Sequence, residues 1–120
     1  MKKVIILLLL LLASTTLIYS QELNSLISGK WFVTSMKVGN EKIEFLKESS
    51  WLEFSSDGKY EMVINNKKEE GTWKLIKEKK ELEFDNKSFE SNLKIEKINK
   101  KELLVSARGE KNIYTMWLKR

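Results

Sequence analysis

The chain has no cysteine, no histidine and no proline, and its 120 residues include only five glycines and two aspartates, Asp57 and Asp85. Each shortage closes a chemistry. Without cysteine there is no disulfide framework, no thiolate nucleophile and no cysteine to carry a lipid anchor. Without histidine there is no Ser–His or Cys–His relay and no imidazole ligand for zinc or haem. Two aspartates cannot furnish a calcium loop built on acidic residues at alternate positions. Most routes used by small hydrolases and metalloenzymes are thereby shut, so no catalytic residue, metal or cofactor is expected. Binding remains.

The first twenty residues read as an export signal. Met1-Lys2-Lys3 is a short basic start, Val4 to Leu12 is an apolar run, and Ser20-Gln21 places a small residue before a polar one. The hydroxyl run Ser14-Thr15-Thr16 interrupts the apolar stretch well short of the ~20 residues a spanning helix needs. Residues 1–20 are therefore expected to be a cleaved signal peptide, and 21–120 one exported domain, periplasmic or extracellular, with no membrane span in the mature form. Removing Lys2 and Lys3 from 22 basic residues leaves 20 against 17 acidic ones, a net charge of +3 in place of +5.

Beyond the leader, apolar residues recur with period two, the mark of half-buried strands. Tyr60, Met62 and Ile64 share one face, as do Leu82 and Phe84, Leu93 and Ile95, and Leu103, Val105 and Ala107. Val63 and Leu104 break the alternation, and Ile98 shifts phase, which predicts a bulge or a strand end. Trp51 to Ser55 presents Leu52 and Phe54, and Gly71 to Ile76 presents Trp73 and Leu75. Lys30 to Val38 opens the series and Asn112 to Lys119 closes it. Short polar breaks separate these runs: Ser56-Asp57-Gly58-Lys59, Asn65-Asn66-Lys67-Lys68, Asn86-Lys87-Ser88, Asn99-Lys100 and Gly109-Glu110.

Eight strands at about ten-residue spacing predict an all-β meander, and closure into an eight-stranded antiparallel up-and-down barrel removes its exposed edges. Leu23, Leu26 and Ile27 fall at helical spacing, so a short N-terminal helical turn is expected to cap one end. The long gap from Gly39 to Ser50 carries Ile43, Phe45 and Leu46. It is expected either to close the barrel mouth or to add an edge strand.

Gly29-Lys30-Trp31, preceded by a short apolar turn, resembles the Gly-x-Trp signature that opens lipocalins. The rest is similar to small bacterial lipocalin-like domains: Trp51-Leu52-Glu53-Phe54 with Asp57-Gly58-Lys59-Tyr60 as their second hairpin, Gly71-Thr72-Trp73-Lys74-Leu75 as their fourth strand, and Lys94-Ile95, Glu102 to Val105 and Tyr114 to Lys119 as the late ones. The resemblance spans the body of the chain in order. It implies an up-and-down barrel with an apolar interior, no catalysis, and a base where Trp31, beside Gly29, packs beneath a basic side chain from the end of the last strand, Lys119 or Arg120.

An eight-stranded barrel is just wide enough to be filled by side chains or to hold one small ligand. Of the inward-facing set, Phe54, Tyr60, Met62, Ile64, Trp73, Phe84 and Leu103 are the candidate contacts to a small hydrophobic or amphiphilic molecule; as core alone they would serve a filled barrel. Tyr60 stands out because a buried hydroxyl needs a partner and can orient a ligand's polar end. In the filled case the protein is expected to be an envelope interaction or inhibitor module, with Phe45, Leu46 and Trp51 as lid or partner contacts. Lysine and glutamate interleave along the remaining faces, which describes solvated outer strands and excludes a one-signed nucleic-acid stripe. Glu69 and Glu70 point to opposite faces and Glu81 and Glu83 share the outer one, so neither pair is expected to converge on an apolar cleft. Asn86-Lys87-Ser88 fits the N-glycosylation pattern by chance. The protein is expected to be a monomer.

Overall fold

Nine strands follow one short helix in the structure, a computed structural model that describes residues 23–85 and 91–120. The expected signal segment 1–20 and the Asn86-Lys87-Ser88 triplet lie outside the described residues. Helix α1 covers 23–27. The strands are β1 (Gly29–Val38), β2 (Glu41–Glu44), β3 (Trp51–Phe54), β4 (Lys59–Ile64), β5 (Lys67–Ile76), β6 (Glu81–Phe84), β7 (Leu93–Ile98), β8 (Glu102–Arg108) and β9 (Ile113–Lys119). All pair antiparallel. From β3 onward each pairs with its successor, and β1 pairs with β9 from Phe32↔Lys119 to Val38↔Tyr114, which closes the barrel.

The barrel has eight staves because β2 and β3 share one edge of β1. Ser35 to Val38 pair with β2, and Gly29 to Phe32 pair with β3. Between them Phe45 N donates to Thr34 O at 3.0 Å and Val33 N donates to Ser50 O at 2.9 Å, so only residues 46–49 leave the edge, in a turn closed by Ser49 N on Leu46 O. Of the two roles open to the Gly39–Ser50 gap, the added strand is the one adopted.

Turn chemistry sets the registers. Asn65 and Asn66 both take positive φ, 50° and 69°, the conformation a two-residue hairpin loop demands and asparagine tolerates. That turn lets β5 start at Lys67, four residues before the expected Gly71. Its first turn of sequence, Lys67 to Glu70, carries no apolar residue to betray a strand. Register shifts fall between Val33 and Ser35 and between Ile95 and Lys97; the second is the bulge that Ile98 foreshadowed.

Inward side chains form a continuous apolar core from Ile27 and Trp31 through Leu52, Phe54, Leu82, Leu93, Leu103 and Val105 to Leu118. The two breaks in alternation have a common cause. Val63 and Leu104 face outward, where each lies opposite a tryptophan on the neighbouring strand, Trp51 and Trp117. Outer tryptophans supply the apolar neighbour that the inner face otherwise would.

Candidate functional site

One end of the barrel is sealed. Trp31 is fully buried, and its indole Nε1 donates to Ile27 O at 2.9 Å, which ties α1 across the opening. The Arg120 guanidinium lies over the same ring, 3.9 Å from its centre, and donates from Nη1 to Ser28 O and from Nε to Lys100 O, each at 2.8 Å. Gly29 makes this approach possible: its φ is +120°, and a Cβ there would sit 3.1 Å from Arg120 Nη1. Of the two basic candidates, Arg120 takes the place over Trp31; Lys119 is exposed and pairs across to Phe32 and Glu102 on the outer face.

Above the base runs an aromatic chain. Trp73 meets Phe54 edge-on at 5.1 Å, Phe54 stacks with Phe84 at 6.1 Å, and Phe84 meets Tyr60 edge-on at 4.7 Å. Such contacts stabilise beyond the area the rings bury. Trp73 Nε1 is held by Ser55 O at 3.0 Å. Phe54, Trp73 and Leu103 are buried in this packed part, and Phe84 is half-buried.

Toward the other end the inner face loses its cover. Ile64, Met36 and Tyr114 are only partly buried, although Met36 pairs with the buried Met116 on the inner side. Ile43 pairs with Met36 and so faces the same way, yet is 45% exposed. Phe45, two residues on, packs against the core, whereas Leu46 stands 82% exposed in the turn. Trp51 is half-buried on the outer surface, with Lys30 Nζ 4.2 Å above its ring.

Beside this uncovered face lies a recess of about 400 Å³ lined by Met62, Ile64, Asn65, Lys67, Lys68 and Glu69. Two recesses of about 480 and 490 Å³ lie against outward-facing residues, one around Lys42, Glu44 and Trp117, the other around Ser91, Arg108 and Thr115. The smaller one carries the argument because Met62, Ile64 and Glu69 all belong to the barrel's inner face.

Glu69 and Glu70 point to opposite faces of β5, as expected, and Glu69 is the inward one. It pairs with Met62 across the β4–β5 hairpin and so points into the barrel, where Tyr60 Oη donates to its Oε2 at 3.1 Å. Tyr60 is 4% exposed. Burial first, and then the hydrogen bond and charge of Glu69, push its phenol well above the usual tyrosine range; the Asp85 charge adds to this. The Asp85 side chain arches over Gly71, accepting from Thr72 N at 2.8 Å, so that a Cβ on residue 71 would collide with Asp85 Oδ1 and lie 2.9 Å from the Tyr60 ring. Glu70, its neighbour in sequence, faces out and pairs with Lys68 at 2.9 Å. A signal for the inward Glu69 was present: a two-residue Asn65-Asn66 loop dictates Met62 opposite Glu69.

The fold is that of a lipocalin-like barrel, a closed antiparallel cylinder. Among solved structures, the crystal structure of a lipocalin-like protein from Bacteroides uniformis ATCC 8492 superposes with a TM-score of 0.57 over 79% of this chain and 98% of that one, at 12% identity. No protein-family model and no curated protein matches the chain.

Proposed function

We propose that this protein is an exported, monomeric binding protein that holds a small hydrophobic or amphiphilic molecule in the uncovered end of its barrel, and that it is not an enzyme. The observation carrying the proposal is the asymmetry of the inner face, fully packed around Trp31 and partly exposed at Met36, Ile43, Ile64 and Tyr114. An apolar, concave wall with a few polar groups is what a small-molecule site consists of. Burying ~300 Å² of ligand surface at ~25 cal/mol per Å² yields about 7 kcal/mol before the cost of association, which corresponds to micromolar binding or weaker. The leader composition supports export, and the lack of histidine and cysteine supports a role without catalysis.

An environment-sensitive neutral dye such as phenylnaphthylamine tests the reading. It should bind saturably and be displaced by amphiphiles, and Ile64→Asp should weaken it by about tenfold while the protein stays folded. Absence of saturable uptake would remove the binding role. The second reading, an interaction module, draws on Leu46 and Trp51 at the outer surface. It predicts a partner retained by the wild type and released by Leu46→Ser, with no change in dye binding.

A further inference from the structure

The outer wall of the barrel carries a concave surface of its own, centred on Trp117. Cross-strand registers align five outward residues in one row, Lys97, Leu104, Trp117, Ser35 and Glu44, from β7 through β8, β9 and β1 to β2. The β1 bulge is what brings Ser35 into this row, and Thr34 Oγ1 donates to Trp117 O at 3.1 Å, which pins β9 beside it. Trp117 and Leu104 are half-buried, whereas Ser35 is too small to stand level with an indole. A recess of about 480 Å³ lies over the row, within the range of small-molecule sites.

Ion pairs flank the indole on both sides. Lys42 Nζ lies 3.4 Å from Glu44 on β2, and Lys97 Nζ lies 3.6 Å from Glu102 across β7 and β8. Each pair sets ammonium donors beside carboxylate acceptors. Lys119, opposite Glu102, leaves one positive charge in surplus among the described residues of the recess, exposed and screened by water. Lys42 Nζ also stands 5.7 Å from the Trp117 ring centre, near the outer limit of a cation–ring contact, so it holds the ring face only weakly. An apolar molecule here would strip water from charged groups and return nothing, and a small ion gains little from exposed charges already paired. A pyranose ring satisfies both neighbours. Its C–H face meets the electron-rich face of the indole, and its hydroxyls donate to the glutamates while accepting from the lysines.

We propose that this recess is a saccharide site, with Trp117 as the stacking platform and the Lys42–Glu44 and Lys97–Glu102 pairs as hydroxyl clamps. It goes beyond the binding role above and stands whether or not the inner face takes an apolar ligand. Neutral and uronic sugars share the pyranose chemistry, and the titration separates them.

Isotope-labelled protein is titrated with cellotetraose, maltotetraose and tetragalacturonate, and the indole N–H signals of its four tryptophans are followed. The Trp117 signal should move saturably at millimolar sugar, while that of Trp51, outward in the neighbouring row, stays in place. Trp117→Ala, followed through backbone signals, should weaken binding by at least about tenfold. Trp117→Phe keeps a ring and should lose only about threefold, as should Glu44→Gln, whereas Trp51→Ala should bind as the wild type does. Raising salt from about 50 to about 500 mM should change affinity by less than about twofold, because the clamps are already paired. Salt-resistant binding of tetragalacturonate alone would assign the site to uronic sugars. Binding of tetragalacturonate alone that vanishes with salt overturns the proposal in favour of simple charge attraction. No movement with any of the three sugars overturns it too, as does an equal loss in Trp51→Ala.

Discussion

The two ends of this barrel are built from the same alternating strands and reach opposite results. At the sealed end the opening carries a plug: Trp31 is covered from below by α1 and from the side by Arg120, and both are fastened by hydrogen bonds to backbone carbonyls. At the other end the strands continue, but β2 stays paired to β1 alone among the described residues, and Met36, Ile43 and Ile64 remain in partial contact with water. The lesson is that closing a cylinder and filling it are separate achievements. Backbone pairing between β1 and β9 does the first, and a plug supplied from outside the strands does the second.

That contrast is breakable. Trp31→Ala should cost about 3–5 kcal/mol, the loss expected for a large fully buried aromatic, and a melting curve unmoved by it would show that the plug is unimportant. Leu103→Ala, in the packed part, should cost about 2–4 kcal/mol, against about 1 kcal/mol for Met36→Ala at the uncovered end; equal losses would erase the distinction. Arg120→Ala, which forfeits two hydrogen bonds and the ring contact, should cost about 1–2 kcal/mol, with Arg120→Lys recovering only part because a lysine cannot span both carbonyls. The smallest effect concerns alkaline pH. Because the folded protein raises the Tyr60 phenol above its unfolded value near ~10, that contribution is intact below pH ~10 and fades as the pH climbs further. Denaturation of wild type and Tyr60→Phe across this range should show the steeper decline in the wild type.

The fold was legible in the sequence wherever apolar residues alternate with polar ones. Tyr60–Met62–Ile64 and Leu103–Val105–Ala107 face inward as their period demands, and Gly29-Lys30-Trp31 marks the base. Illegibility began where the code is not apolar. The first half of β5 is written in lysine and glutamate, so neither its start at Lys67 nor which of Glu69 and Glu70 faces inward could be read from burial, although the Asn65-Asn66 loop determines both. β2 is exposed at all four residues and lacks any pattern of burial to read. The candidate site was half visible for the same reason: Tyr60, Met62 and Ile64 show in the alternation, but Met36 and Ile43 become mouth residues only through a bulge after Val33 that reverses the phase of β1.

The split second stave also separates chain length from alignment. Since Phe45 and Ser50 are each anchored to β1 in their own right, residues added between them would lengthen a surface excursion without shifting Leu52 or Phe54 off the inner wall. The entropic toll of such additions rises only logarithmically. Residues 46–49 are thus the natural graft point of this scaffold, where a recognition peptide or a reporter can be spliced beside the rim while the cylinder keeps its form.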